Sequence, residues 1–285
     1  MMKDETTTEE GRFQDFQHYL RRQHLSEHTI TAYVGGIRTY LRLYCGMSPE
    51  NLGSYKQYLL GHYRPATVNL RICGMNRYLC YLEEMTSETL CPMHRLPTVK
   101  LQVCACSPRT ISNADYERMK RGLWEDGNLY WYVLVHLLAG TGARISELLQ
   151  IRVEDLSYGY MDLYTKGEKA RRIYIPDCLC REALEWCGGI GHMSGFLFQN
   201  SRGRLITDRG VRWKLKQLAV LYQVDPTTVY PHAFRHRFAQ NFLQRFNDIS
   251  LLADLLGHEN IETTRVYLKK TSSEQQQLID EKIRW

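Results

Sequence analysis

Apolar positions recur at helical spacing almost from the start of the chain. Phe13, Phe16, Tyr19 and Leu20 fall on one helical face, and Ser26 stands as an N-cap before a second run carrying Thr29, Tyr33, Ile37, Tyr40 and Leu41. The segment PATVNLRICGMNRYLCYLEEM repeats the pattern with Val68, Ile72, Met75, Leu79 and Leu82. Residues 11–90 therefore predict a compact all-helical module, preceded by an acidic leader over 1–10 that is expected to be disordered. From Thr86 to Arg109 the periodicity fades among Pro92, Pro97 and Pro108, and a linker is expected over 91–108.

Beyond Ile111 the pattern changes. Ser112 caps a helix entering ADYERMKRGL, and YWYVLVHLLAG is apolar on nearly every side and so predicted to be buried. YMDLYTKGEKARRIYIP reads as two β-rich runs around a Lys-Gly-Glu-Lys turn, a hairpin. Residues 177–195 are cysteine- and glycine-rich and read as a loop, after which WKLKQLAVLY, HAFRHRFAQNFLQRF and ISLLADLLG are helical. The fold class expected is mainly α with a small β-sheet: a second domain over 109–271, closed by an amphipathic C-terminal helix over 272–285 with Leu278, Ile279, Ile283 and Trp285. No internal repeat or heptad run appears, which excludes solenoids and coiled coils.

Composition narrows the partner class. A chain of 285 residues accommodates about two domains with their own cores. Its net charge of +6, from 37 basic against 31 acidic residues, permits a polyanionic partner without naming one. The nine cysteines are odd in number and no signal peptide precedes them, so reduced thiols and a cytoplasmic location are expected. The longest apolar stretch, Tyr130 to Gly140, contains His136 and reaches only about half of a bilayer span, so no membrane segment is expected. Neither Cys104/Cys106 nor Cys178/Cys180 has the spacing of a zinc clip, and Cys91 and His94 stand apart from any second pair; no metal is expected. Walker, GxGxxG, HExxH and GxSxG motifs are absent.

What stands out is a dispersed basic set with one tyrosine. In GTGARISELLQI the glycines bend the chain before Arg144, and Glu147 follows three residues later on the same helical face, where it can orient a basic neighbour. Lys166 approaches the hairpin turn. HAFRHRF places His232 and Arg235 one turn apart, within reach of a single phosphate, and LLGHENIETTRVYL places His258 just past a helix end with Tyr267 nine residues on. Taken singly, each has an ordinary structural explanation, as surface ion pair, solvated lysine or packed ring.

Together these segments resemble the tyrosine recombinases, or phage-type integrases. TGARISELLQI is similar to the family's first-arginine box, TKGEKARRIYIP to its β-hairpin lysine segment, HAFRHRFA to its HxxR box and LLGHENIETTRVYL to its histidine-tyrosine box. The likeness is strong over about 105–270, and residues 11–90 resemble the family's helical core-binding domain more loosely. The resemblance implies catalytic roles for Arg144, Lys166, His232, Arg235, His258 and Tyr267, with Glu147 supporting them. Tyr267 would attack a phosphodiester, giving a 3′-phosphotyrosyl link and a free 5′-hydroxyl. Arg144, Arg235 and His258 would hold the phosphate, Lys166 would protonate the leaving oxygen, and His232 would act as base or orient the phosphate. Two arginines and a histidine supply what Mg²⁺ supplies elsewhere, so no cofactor is expected.

Outside that set, Arg202, Arg204, Arg209, Arg212, Lys214 and Lys216 surround Trp213 in a basic segment read as DNA-backbone contacts, with Arg171, Arg172 and Arg237 as weaker candidates. The implied partners are duplex core sites clamped between the two domains of a nucleoid-associated bacterial protein, monomeric or weakly oligomeric when free. Four copies would join two sites, the C-terminal helix exchanged between them, with a DNA-bending or excisionase protein as accessory. Integrase, transposon recombinase, DNA invertase and Xer-type resolvase remain open, as do a type IB topoisomerase and a non-enzymatic DNA-binding module.

Overall fold

The computed structural model describes residues 3–86, 95–100, 110–164, 170–200, 202–258, 260–268 and 279–280. The chain divides into two units, Met1–Cys104 and Ala105–Trp285. In the first, four helices, α1 (Lys3–Arg22), α2 (Glu27–Leu43), α3 (Pro49–His62) and α4 (Pro65–Thr86), enclose one core. Ser26 caps α2, its hydroxyl accepting from the Thr29 N–H at 3.2 Å. Phe16, Leu20, Ile37, Leu52, Leu59 and Ile72 are fully buried, each stabilising the unit by about 1.5–3 kcal/mol. Two buried phenols avoid desolvation cost by donating to backbone carbonyls: Tyr55 to Gly36 at 2.8 Å and Tyr40 to Gly46 at 2.7 Å.

Two features depart from the periodicity. Helix α3 buries only Leu52, Tyr55 and Leu59, a stripe too narrow to stand out, although Ser48 caps it and Pro49 opens it. Helix α1 begins at Lys3, so residues expected as a disordered leader are helical. An acidic start that composition reads as solvated tail also suits the positive end of a helix dipole.

The second unit is built around α6 (Leu129–Thr141), whose Val133, Leu134, Val135, Leu137 and Leu138 are all buried. Against it pack α5 (Asn113–Glu125), α9 (Asp177–Gly189) and α11 (Pro231–Phe246). Two short helices, α7 (Ile145–Leu148) and α8 (Val153–Tyr158), lead into β1 (Tyr160–Tyr164) and β2 (Ala170–Tyr174), an antiparallel pair with Tyr160 opposite Tyr174 and Leu163 opposite Arg171. Met161 and Ile173 face the core while Tyr174 faces out. The unit continues with α10 (Asp208–Leu221), α12 (Ile249–Leu256), α13 (Glu262–Arg265) and a 3₁₀ turn at Val266–Leu268.

Helix α9 corrects the expected loop. It buries Leu179, Cys180, Ala183, Trp186 and Cys187, a regular stripe in which the cysteines serve as small apolar residues. Lys166 and the hairpin turn, the linker cysteines Cys91, Cys104 and Cys106 with His94, and nearly all of the C-terminal segment lie outside the described residues. Among the described residues no helix is long and apolar enough to cross a membrane.

Part of the expected linker belongs to the first core. Asn76 Nδ2 donates to Leu96 O and its Oδ1 accepts from the Leu96 N–H, both at 2.9 Å; Asn69 pairs identically with Val99, at 2.9 and 2.7 Å. Seven helical residues advance about 10.5 Å and three extended residues about 10 Å, so two amides two turns apart match points three residues apart on a strap running antiparallel to α4. Leu96 itself is buried in the core. Amide-to-backbone pairing leaves no hydrophobic period, which is why this stretch reads as a linker. Asn76→Ala is expected to lower the stability of this unit by about 1–3 kcal/mol in urea unfolding, because it unpairs both backbone groups of Leu96; an unchanged midpoint would refute the strap's contribution.

Candidate active site

Arg144, Glu147, Arg235, His258 and Tyr267 meet at the C-terminal end of α12. Arg235 is 4% exposed on α11; its Nη1 donates to Gly142 O at 2.8 Å and its Nη2 to Leu256 O at 2.7 Å. Arg144 sits where the chain re-enters helix after Gly142, which ends α6 in the left-handed region at φ 63°. The Glu147 carboxylate accepts from the Arg144 backbone N–H at 2.8 Å and from its Nη1 at 2.7 Å, while Arg144 Nη2 approaches Gly257 O at 3.3 Å. Arg171, from β2, donates to Glu147 as well and to Leu255 O at 3.1 Å. Three successive carbonyls at one helix end thus receive three guanidiniums. Burial and the charges of Arg144 and Arg171 lower the Arg235 pKa to about 10, which leaves it protonated at neutral pH.

His258 follows directly. Its Nε2 lies 2.9 Å from Arg235 Nη2, and a guanidinium only donates, so Nε2 accepts and the ring proton sits on Nδ1, 2.8 Å from Thr264 Oγ1. Burial, reinforced by Arg235, Arg144 and Arg171, pushes the His258 pKa down to about 4. Tyr267, on the 3₁₀ turn, rests on the apolar seam of α11 and α12 formed by Ala239, Leu243, Leu252 and Leu256. Its ring lies nearly parallel to His258, with centroids 6.5 Å apart, and edge-on to His236 at 5.2 Å. Burial raises its phenol above the ordinary tyrosine value while Arg235 and Arg144 oppose that rise. His232, exposed in the first turn of α11, is held below the ordinary imidazole value by partial desolvation and by Arg212, Arg235 and Arg144.

Arg144, Glu147, His232, Arg235, His258 and Tyr267 are therefore brought together within one chain. Of the expected DNA contacts, Arg171 lies within the cluster with its side chain 12% exposed, because β2 alternation places it on the same face as Ile173. Arg172 points outward but is tied to Asp162 by two 2.8 Å bonds and covers the Tyr160 ring at 3.8 Å. Arg237 lies over Tyr116 at 3.8 Å and lines a cavity of about 340 Å³ with Phe238 and Phe242. In the basic segment Arg202, Arg204, Arg209 and Lys216 are exposed and Lys214 half-buried, with Trp213 exposed among them, while Arg212 pairs with Asp208 at 2.7 Å and bears on His232. Sequence reasoning missed Thr264 and the acceptor roles of Gly142 and Gly257. Glycines just before Arg144 and His258 were the available signal.

Among the described residues no group of His, Cys, Asp or Glu is arranged to hold a metal ion. Because the folded His258 pKa lies below the imidazole value, the unfolded chain binds protons more readily. Stability is then complete above about pH 6.5 and falls as pH drops towards about 4. His258→Gln is expected to flatten this part of the unfolding free energy against pH; a slope equal to wild type would contradict the geometry.

Residues 112–274 match the phage integrase family model. The TnP I resolvase of Bacillus thuringiensis is 26% identical over 272 residues, covering 88% of this chain and 93% of that protein. Among solved structures, the XerH recombinase on its palindromic difH substrate superposes with a TM-score of 0.72 at 18% identity, over 89% of this chain and 80% of that one. The Tn1549 transposon integrase with right-end DNA gives 0.71 at 15% identity, over 95% and 99%. These likenesses establish a shared fold, and with the family model spanning more than half of the sequence, including Arg144, His232, Arg235, His258 and Tyr267, the chain belongs to the phage integrase family of tyrosine recombinases.

Proposed function

We propose that this protein is a site-specific recombinase that breaks and rejoins duplex DNA through Tyr267. The observation that carries this reading is the convergence of Arg144, Arg235 and His258 beside the Tyr267 ring, all in one chain. A phenol packed between histidines beside guanidiniums matches the needs of a nucleophile whose anion must form next to a phosphate. Arg144 is the more accessible arginine, with 40% of its side chain exposed, and receives a non-bridging oxygen first, while Arg235 stands behind it.

The chemistry balances without water. The Tyr267 oxygen bonds to phosphorus, its proton passing to a base for which neutral, exposed His232 is the candidate. The bond from phosphorus to the 5′-oxygen breaks, and Lys166 delivers the proton that the leaving oxygen requires. Phosphodiester energy is kept in the phosphotyrosyl bond, so a 5′-hydroxyl from a second duplex can reverse the step and build a Holliday junction. The negative charge of an incoming phosphate opposes the arginine charges that depress the His258 pKa and so favours the protonated, donating ring.

Duplex sites complete the reading, supported by fold neighbours solved on DNA, and four copies on two synapsed sites in a cytoplasmic setting are proposed with them. Arg209, Trp213 and Lys216 share an exposed face of α10 and are the proposed backbone contacts, with Arg202 and Arg204 beside them. Integration, transposition or inversion is the favoured biological use. The likeness to a resolvase and to the XerH recombinase keeps an Xer-type chromosome dimer resolvase as the second.

On a nicked suicide site, wild type is expected to accumulate a covalent protein–DNA adduct, and Tyr267→Phe to bind equally and form none. Adducts from that variant would overturn the assignment. Arg144→Ala is expected to slow adduct formation roughly 10²–10³-fold in single-turnover assays, the cost of one lost oxyanion donor.

A further inference from the structure

Three polar side chains are buried among the described residues, and Thr264 is one of them, with Thr141 and Arg235. A helical threonine can turn its hydroxyl back onto the carbonyl four residues earlier. Thr31, Thr39 and Thr141 do so, donating to Glu27, Gly35 and Leu137 at 2.8, 2.9 and 2.7 Å. Thr264 turns its hydroxyl to a side chain instead, meeting His258 Nδ1 at 2.8 Å. Its neighbour Thr263 is exposed, so the turn of α13 selects which hydroxyl reaches the ring.

The bond joins two parts of the site. His258 stands at the end of α12, and Thr264 lies on α13, one turn before Tyr267. With Nδ1 held by Thr264 and Nε2 lying 2.9 Å from Arg235 Nη2, the imidazole is fixed at both nitrogens, its plane tilted only 11° from that of the Tyr267 ring. Charge makes a hydroxyl the apt partner. A carboxylate on Nδ1 would orient the ring as well, but it would cancel part of the positive potential of Arg144, Arg171 and Arg235 that draws phosphate. A hydroxyl brings no charge, accepts from Nδ1–H and can turn to donate when Nδ1 is bare, so it partners the ring in each protonation state.

We infer that Thr264 is a positioning residue, whose hydroxyl holds the His258 imidazole by Nδ1 so that Nε2 is presented to the phosphate attacked by Tyr267. The inference rests on the recombinase reading and adds a buried residue that acts through His258.

Valine has the shape of threonine and no acceptor, while serine and cysteine differ by one atom, an oxygen that accepts well against a sulfur that accepts weakly. On the nicked suicide site, full-length Thr264→Ser is expected to form adduct within about threefold of the wild-type rate, Thr264→Val roughly 10- to 100-fold more slowly and Thr264→Cys between them, all binding DNA equally. In a His258→Ala background the change to valine should cost no more than about twofold, because its effect passes through the ring. A second measurement needs no activity. The His258 Nδ1 proton, identified in NMR spectra by its loss in His258→Gln, should exchange slowly with water in wild type and Thr264→Ser and rapidly in Thr264→Val.

Wild-type adduct formation by Thr264→Val would overturn the inference. So would a deficit that persists undiminished in the His258→Ala background, which would put the role in the fold of α13, or rapid exchange of the Nδ1 proton in wild type. Should Thr264→Val melt early, the Thr264→Ser and Thr264→Cys pair carries the test, and equal rates overturn it. If wild type itself forms no adduct, the recombinase reading falls and the positioning role with it, whereas slow proton exchange would still show Thr264 holding the ring.

Discussion

Three guanidiniums converge where, among the described residues, Glu147 is the one carboxylate that binds them, and the end of α12 makes this possible. Arg144 and Arg171 share Glu147, and Arg235 has no carboxylate among its hydrogen-bond partners in the described residues. The missing negative charge is supplied in part by the carbonyls of Leu255, Leu256 and Gly257, which at a helix C-terminus carry roughly half an elementary charge between them. Partial compensation holds the side chains in place and leaves positive potential to spare. Donors fixed before the substrate arrives need no reorganisation when charge develops, which is the main source of electrostatic catalysis.

The same potential dictates the state of the neighbouring groups. Burial, reinforced by the cations that attract phosphate, keeps His258 and His232 neutral, while those cations moderate the rise that burial imposes on Tyr267. The free site is thus loaded with bases and an un-ionised nucleophile. Negative charge brought into the site opposes the depression of the His258 pKa, so protonation and anion binding are linked. Thr264 fixes the tautomer from which this begins, by accepting the Nδ1 proton.

Much of this was legible in the sequence. The buried helix α6, the hairpin strands and the helical N-terminal unit follow from the apolar period, and Arg144, His232, Arg235, His258 and Tyr267 were marked by the family resemblance of the segments that carry them. Contributions carried by backbone carbonyls were not legible, since a carbonyl belongs to every residue and no side-chain pattern marks Leu256 as a ligand of Arg235. Arg171 and Arg172 illustrate a second limit. Adjacent arginines look alike in a basic run, and only strand alternation anchored by Ile173 sends the first inward and the second to Asp162. Helix α9 was hidden because its stripe includes cysteines, and the strap at 95–100 because it is held by two asparagine amides.

The cluster also explains why the site is gathered from so many elements. Arg144 comes from the turn after α6, Arg171 from β2, Arg235 from α11, His258 from the end of α12 and Tyr267 from the turn beyond α13. Each guanidinium reaches the same helix end from a different direction, and repulsion keeps them apart everywhere except around Glu147. No local segment can form such an arrangement, because each arginine alone gains more from water than from one carbonyl. The arrangement exists only once the surrounding core is complete, and the glycines at 142 and 257 mark where backbone, rather than side chain, had to come close. Stability surrendered there is returned when a phosphate supplies the absent counter-charge, so the group that the enzyme acts on is also the one that completes its packing.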